Sequence, residues 1–156
     1  MTYIGLDPGK NGGIAAVSRD GAIIMACKMP ETEQDILDVL HDLTVGGDGC
    51  RAALERVNAG IFGAGKVGRM GVTSAFTFGR GYGGLRMALM ASKIPFEEPQ
   101  PNVWQRALSC LSKGDKNLTK RRAQELFPAW RKITLATADA ILIAEYCRRT
   151  HGGRDV

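Results

Sequence analysis

Short apolar runs separated by turn residues fill the first part of the chain and predict three β-strands. The runs cover residues 2–6, 13–18 and 22–28, and each is short and followed by turn-forming residues, which is typical of strands rather than helices. Asp20-Gly21, between the second and third runs, is a common two-residue hairpin turn. We therefore expect two successive hairpins at the start of the chain.

Later in the chain, apolar residues recur every three or four positions, and this spacing predicts helices. The first helix begins after Thr32, which suits an N-cap, and its apolar face includes Ile36 and Leu40. Short apolar runs at 51–55 and 94–99 predict two further strands. Further helices are predicted at 73–92, from Pro101, at 117–127 and at 134–149. Together these elements predict an α/β fold with a five-stranded mixed sheet flanked by helices.

The length of 156 residues suits a single domain spanning residues 1–156. No apolar run approaches the roughly 20 residues that a membrane-spanning helix needs, and the start lacks the pattern of a secretory signal. The four cysteines form no CxxC pair, which argues against a zinc site. The expectation is a soluble intracellular protein with no membrane partner.

The first apolar run ends in a carboxylate, Asp7, which a Pro-Gly turn follows. A carboxylate at the end of a buried strand needs a partner, and a divalent metal ion is one that suits hard oxygen ligands. The alternative is a solvated turn aspartate, because Asp-Pro-Gly is favourable turn chemistry by itself.

The run at 51–55 also ends in an acid, Glu55. Because a helix separates this run from the earlier strands, it can lie parallel to the first strand, so that Asp7 and Glu55 meet at the same end of the sheet. Two adjacent carboxylates repel each other unless a cation neutralises them. The alternative is that Glu55 forms an ion pair with a nearby arginine such as Arg56.

A third acid, Asp139, lies in the apolar stretch ADAILIA of the last predicted helix. Three carboxylates from two strand ends and one helix can form an oxygen cage for Mg²⁺ (or Mn²⁺), and such ions activate water for phosphodiester hydrolysis. The three acids therefore favour a metal-dependent nuclease.

The net charge of +5 and a pI near 9.2 favour an acidic partner such as DNA. Basic residues are concentrated between 103 and 122, although such a cluster is often only a solvated surface. Candidate DNA-binding residues are Lys66, Arg69, Arg80, Lys113, Lys116, Lys120 and Arg121. Phe62, Phe76 or Phe78 could offer an apolar wedge to a nucleic acid, although packing in the core or at the surface is the more common role for such a residue.

The predicted helix 73–92, with Thr73 or Ser74 near its N-cap, contains four glycines. Each costs a helix about 1 kcal/mol against alanine, which suggests that something approaches closely. The sheet, a second copy of the helix and a DNA backbone are the alternatives. The loop 56–72 before it is rich in glycine.

Three segments of the chain resemble, in order and spacing, the RuvC-type Holliday junction resolvases. They are residues 4–9 (IGLDPG), 54–57 (LERV) and 138–144 (ADAILIA). Residues 77–83 (TFGRGYG) and 104–106 (WQR) are similar to the phage and organellar branch of this family. The resemblance covers nearly the whole chain.

The resemblance implies an RNase H-like fold, a homodimer, and paired Mg²⁺- or Mn²⁺-dependent cuts in a four-way DNA junction. By position, Asp7, Glu55 and Asp139 would be catalytic metal ligands, and Lys116 would be a catalytic basic residue near the scissile phosphate. The resemblance also implies that the glycine-rich helix lies near the dimer interface.

The chain departs from the family pattern one helical turn before Asp139, where these resolvases usually carry a fourth acid. Ala136 stands there, and alanine cannot bind a metal. Either the site works with three acids, or the chain is an inactivated copy, natural or engineered.

Other functions remain open at this point. A protein that binds junctions without cutting them, or a nuclease of the same fold acting on other branched DNA, would share most of these features. The first hairpin also resembles the phosphate-binding hairpin of actin-like kinases and ATPases, but those chains are much longer.

Overall fold

The computed structural model of the chain describes residues 1–47, 49–57 and 71–153. The strands are β1 (Thr2–Asp7), β2 (Gly13–Ser18), β3 (Ile23–Lys28), β4 (Cys50–Leu54) and β5 (Phe96–Glu97). The helices are α1 (Glu33–Thr44), α2 (Val72–Ala91), α3 (Pro101–Ala107), α4 (Lys116–Leu126) and α5 (Leu135–His151). Among these described helices, none is both long and apolar enough to cross a membrane.

The five described strands form one mixed sheet in the order β3-β2-β1-β4-β5. β2 pairs antiparallel with both β1 and β3, whereas β4 pairs parallel with β1 and β5. Because β1 and β4 run in the same direction, their carboxyl ends meet at one edge of the sheet. The predicted mixed sheet, including the parallel pairing of the first and fourth strands, is confirmed.

Alternation along β1 sends its side chains to two different helical layers. Ile4 and Leu6 enter the core that contains residues of α1 and α2, whereas Tyr3 enters the core that contains residues of α3, α4 and α5. Gly5 and Asp7 share the face of Tyr3, so Asp7 points towards the α5 side of the sheet.

Several predicted boundaries differ from those observed. β5 covers two residues rather than 94–99, because the Ile94 N–H donates to the Leu89 carbonyl at the end of α2 and the prolines at 95 and 99 lack an N–H. The N-cap of α2 is Gly71, which has no side-chain cap, so Thr73 and Ser74 lie inside the first turn. The other elements agree to within one or two residues.

Thr32 caps α1 as predicted, since its hydroxyl accepts a hydrogen bond from the Asp35 N–H at 3.1 Å. The glycines of α2 contradict one of the three explanations considered for them, namely that the sheet approaches them closely. A Cβ at Gly79, Gly81 or Gly83 would have no described atom within 4 Å, and one at Gly84 would only approach the Glu33 side chain at 4.0 Å. Close approach of the sheet therefore does not explain these glycines, and that alternative is wrong.

Candidate active site

Asp7 is the last residue of β1, and its side chain is only 7% exposed. A tight turn follows, in which the Gly12 N–H donates to the Gly9 carbonyl. Gly9 has a φ of +101°, which favours glycine, and a Cβ there would lie 2.8 Å from the ring of Phe78 on α2. The turn thus ends the strand immediately after the acid.

Glu55 is the first residue after β4 and continues the pairing of β4 with β1. Its backbone N–H donates to the Leu6 carbonyl at 3.0 Å, which places Glu55 beside the end of β1. Its carboxylate oxygen Oε2 accepts a hydrogen bond from the indole Nε1 of Trp104 at 2.8 Å. The prediction that Asp7 and Glu55 lie at the same edge of the sheet is therefore confirmed, and the observed partner of Glu55 is an indole.

Asp139 comes from α5, which begins in a capping box formed by Thr134 and Thr137. The helix lies directly on β1, because a Cβ at Gly5 would be 2.1 Å from the Ala140 carbonyl oxygen. This close approach brings Asp139 to the same edge of the sheet. Asp139 is 7% exposed, and its Oδ1 is buried without a hydrogen-bond partner in the described part of the chain.

Lys116 connects two of the three acids. It is the first residue of α4, after Asp115, whose side chain caps the helix. Its ammonium Nζ lies 3.4 Å from Oδ2 of Asp7 and 3.3 Å from Oδ2 of Asp139. Because the lysine side chain is about half exposed, this cation lies at the rim of the site, between two buried carboxylates.

The carboxylates share one electrostatic environment. Burial, followed by the charge of Asp139, raises the pKa of Asp7 to about 6, although Lys116 opposes the shift. Burial, followed by the charge of Asp7, raises the pKa of Glu55 to about 7, and the charge of Asp139 adds to this. Burial alone would lower the pKa of Lys116, but Asp7 and Asp139 outweigh it and raise that pKa. Asp7 and Glu55 therefore lose their protons less readily than exposed carboxyl groups do.

The described side chains do not form a finished metal cage. No group of three or more His, Cys, Asp or Glu side chains within residues 1–47, 49–57 and 71–153 is arranged to hold a metal ion. Asp7 and Asp139 converge on an ammonium group, and Glu55 is bound to Trp104. The metal-ligand roles of Asp7, Glu55 and Asp139 thus stay predictions.

Ala136 lies near the acids through its backbone. A Cβ at Gly13 would be 2.7 Å from the Ala136 carbonyl oxygen, and Gly13 is the residue paired with Asp7 across β1 and β2. Ala136 also precedes Asp139 by three residues on α5, which puts both on one side of the helix. An acidic residue at position 136 would therefore have its backbone at the edge of the site, on the same side of α5 as Asp139.

The predicted DNA-binding residues that the structure describes differ in exposure. Arg80, Lys113 and Arg121 are exposed, and Lys120 is half-buried. Lys66 and Arg69 lie outside the described residues, as does Phe62. Their proposed contacts with DNA stay predictions.

Two side-chain contacts near the site were not predicted from the sequence. One is the hydrogen bond from Trp104 to Glu55; the need of a buried indole N–H for an acceptor is the only signal that could have suggested it. The other joins α2 to the segment after β5, where the Tyr82 hydroxyl donates to Oε1 of Glu98 and Arg86 Nε lies 3.1 Å from the same oxygen. Burial, with Glu98 as the next cause, raises the pKa of Tyr82 to about 12.

Comparison with known proteins identifies the fold. The chain is similar to the structure of RuvC from Thermus thermophilus, with a TM-score of 0.65, 16% sequence identity and 96% of each chain covered. It is also similar to T. thermophilus RuvC in complex with Holliday junction substrate, with a TM-score of 0.64, 15% identity and 97% of each chain covered. No protein-family model and no curated protein sequence matches the chain. The predicted RuvC-type, RNase H-like fold is confirmed.

Proposed function

We propose that this protein is a structure-specific endonuclease that resolves four-way DNA junctions by metal-dependent phosphodiester hydrolysis. The observation that carries this proposal is the convergence of Asp7 and Asp139, from β1 and α5, on Lys116, with Glu55 at the same edge of the sheet. These side chains occupy a RuvC-type fold, and one of the similar structures is a RuvC bound to a Holliday junction. Roles in DNA recombination and repair belong to the same proposal.

The donor set fits Mg²⁺ or Mn²⁺. Asp7, Glu55 and Asp139 would hold the ion, because all three offer carboxylate oxygens and the free Oδ1 of Asp139 is a ready ligand in the described structure. The raised pKa values of Asp7 and Glu55 mean that the site gains from a further positive charge. When bound, a divalent cation supplies water activation and stabilises the charge of the phosphate oxygens.

Lys116 has two roles in this proposal. In the first, its ammonium compensates part of the charge of Asp7 and Asp139. With DNA present, its position at the rim lets it contact the scissile phosphate and stabilise the negative charge that develops there. The neighbouring Lys113, Lys120 and Arg121 would hold the DNA backbone.

A homodimer would place two such sites on the two like strands of a junction. The exposed side of α2 is the surface that suits this contact. Phe76 is 71% exposed, Met87 61% and Met90 52%, and they follow one another at helical spacing. Gly79 and Gly83 lie on the same side, and no described residue of another element comes within 4 Å of a Cβ built there, which would let a second helix approach.

Ala136 gives specific support to a second candidate function, a junction-binding protein that does not cut. A site with three acids, one of them bound to Trp104, is less complete than the four-acid pattern expected from the resemblance. Such a protein would keep the fold and the basic surface and would bind junctions with a strong dependence on salt.

A cleavage assay tests both candidates. The parent chain, Glu55→Gln and Ala136→Asp are incubated with Mg²⁺ and a fixed four-way junction, a fork or a plain duplex. We expect the parent to cut the junction selectively, Glu55→Gln to lose cutting while it keeps junction affinity, and Ala136→Asp to cut faster. Junction binding without nicks in the parent and in Ala136→Asp would favour the binding protein, and equal cutting of all three substrates would contradict junction resolution.

Lys116→Ala separates the two roles of the lysine. We expect it to slow junction cleavage more than it weakens junction binding, because one phosphate contact contributes little to the affinity of a large basic surface. Measurement of cleavage rate and of binding by gel shift checks this. A loss confined to binding would make Lys116 an ordinary phosphate contact.

A further inference from the structure

Trp104 differs from the other tryptophan of the chain in what its indole N–H does. Trp104 is fully buried on α3, and its Nε1 donates to Oε2 of Glu55. Trp130 is half-buried, and its Nε1 has no hydrogen-bond partner within the described residues. The sequence contains only these two tryptophans. One indole N–H is therefore used at the site, and the other is not.

The hydrogen bond from Trp104 restricts the Glu55 side chain at its far end. The backbone of Glu55 is already fixed by its hydrogen bond to the Leu6 carbonyl, and Trp104 then fixes one carboxylate oxygen. The ring of Trp104 is held in the core under α5, among residues such as Ile141. Because its backbone and one carboxylate oxygen are both fixed, the Glu55 side chain has few orientations left.

Gln105, the residue after Trp104, contacts the loop that leads to Lys116. The Gln105 side-chain oxygen accepts a hydrogen bond from the Ser112 N–H at 3.1 Å. Ser112 lies in the loop that leads to Lys116, so α3 braces both the segment that carries Glu55 and the loop that delivers the lysine. This arrangement makes α3 a support for the acids rather than only a part of the core.

We infer that Trp104 is a positioning residue for Glu55, and that its indole N–H makes the site prefer cations with strict octahedral geometry over Ca²⁺. This inference rests on the proposed function, in which Glu55 is a ligand. Mg²⁺ and Mn²⁺ need ligands held in a narrow range of directions, whereas Ca²⁺ accepts more oxygens in flexible arrangements. A freed Glu55 carboxylate can rotate to offer both oxygens, which favours Ca²⁺.

The test measures cation binding in the absence of DNA. Isothermal titration with Mn²⁺ and with Ca²⁺ is performed on the parent chain, on Trp104→Phe and on Trp130→Phe as the matched control. We expect Trp104→Phe to lose about tenfold in Mn²⁺ affinity, as is usual when a residue that orients a ligand is removed. The loss for Ca²⁺ should be smaller, and Trp130→Phe should bind both ions as the parent does.

A double variant shows whether Trp104 acts through Glu55. In the Glu55→Gln background, Trp104→Phe should cause no further loss of Mn²⁺ affinity. An equal additional loss in that background would overturn the inference, because it would show a general effect of the ring on the core. Unchanged Mn²⁺ and Ca²⁺ affinities in Trp104→Phe alone would overturn it as well.

Replacement of Trp104 by benzothienylalanine covers the case in which phenylalanine leaves the core underpacked. This residue keeps the bicyclic shape but carries sulfur in place of the N–H, and the Trp130→Phe background restricts the replacement to position 104. A parallel loss of Mn²⁺ affinity supports the inference, and parent-like binding overturns it. A parent chain that binds no divalent cation would instead overturn the proposed metal-dependent function, and the inference with it.

Discussion

The helices α5 and α2 contact the sheet from opposite faces and in opposite ways. α5 rests on the backbone of β1, where Gly5 leaves no room for a side chain, and residues 137–145 of the helix are all buried. α2 touches the other face through a few large side chains, Leu85 and Leu89 among them, and exposes much of its remaining length. The buried helix carries a catalytic candidate, and the exposed helix carries the candidate dimer surface.

The two helices therefore differ in role: α5 holds Asp139 in a fixed position, whereas α2 presents an exposed surface. Backbone-to-backbone packing fixes the height of α5 above β1 and therefore the separation of Asp139 from Asp7, because protein interiors do not deform smoothly. α2 shows no such close backbone contact at Gly79, Gly81 or Gly83, where no described residue of another element lies within 4 Å of an added Cβ.

Gly5→Ala should produce the largest effect. The added Cβ meets the Ala140 carbonyl oxygen and the Ala144 nitrogen at 2.1 and 2.3 Å, and neither backbone atom can move without shifting α5. We expect a loss of about 3 kcal/mol or more in the free energy of unfolding, measured by urea denaturation. A free energy of unfolding equal to that of the parent would show that α5 does not rest on β1.

Glu55→Gln should change how stability depends on pH in the absence of divalent cations. The pKa of Glu55 is raised in the folded state, from its ordinary 4.5 to about 7, so the parent loses stability as the pH rises through this window. The variant removes that charge, and its glutamine can still accept the Trp104 N–H. Relative to the parent, we expect the variant to gain roughly 2–3 kcal/mol between pH 4.5 and pH 8.

Urea denaturation across this pH range measures the gain, with the exposed Glu31→Gln as the control for general loss of charge. A constant difference between Glu55→Gln and the parent across the whole range would contradict the electrostatic description of the site. Addition of Mn²⁺ should stabilise the parent at pH 8 much more than at pH 5, since protons compete for the same carboxylates.

Gly83→Ala should change the stability of the isolated chain less than either Gly5→Ala or Glu55→Gln, and its sign should be opposite to that of Gly5→Ala. Nothing among the described residues lies within 4 Å of the added Cβ, so the helix should gain up to about 1 kcal/mol. If α2 packs against a second copy, the same methyl should weaken the dimer. Sedimentation equilibrium measures the dimer, and denaturation at low protein concentration measures the monomer.

An unchanged dimer constant in Gly83→Ala would place the interface elsewhere. Phe76→Ser is the companion variant, because it removes an exposed ring from the same side of α2 without a glycine effect. We expect it to weaken the dimer and to leave the stability of the monomer nearly unchanged.

The main architecture and the positions of the acids were predictable because they follow from local patterns. Alternation of side chains and the parallel crossover placed Asp7 and Glu55 at one sheet edge, and the apolar setting of Asp139 marked it as unusual. These inferences use periodicity and strand order, which the sequence displays directly.

The contacts of the site were not predictable in the same way. Trp104 meets Glu55, and Lys116 meets Asp7, across long stretches of chain, and only the packing of α3 and α4 on the sheet determines which partners coincide. The short β5 and the Gly71 cap of α2 were not predicted for a related reason. Contacts with neighbouring elements, rather than local sequence propensity, determine both features.

Lys116 supplies a counterion to two of the acids from within the chain. The ammonium on α4 contacts Asp7 and Asp139, so the fold itself places a positive charge beside this carboxylate pair. If a divalent cation binds there, as proposed, loading of the site would exchange one cation for another, and the measured affinity would be the difference between the two contacts. The displaced lysine would stay tethered at the rim, where it could face the DNA.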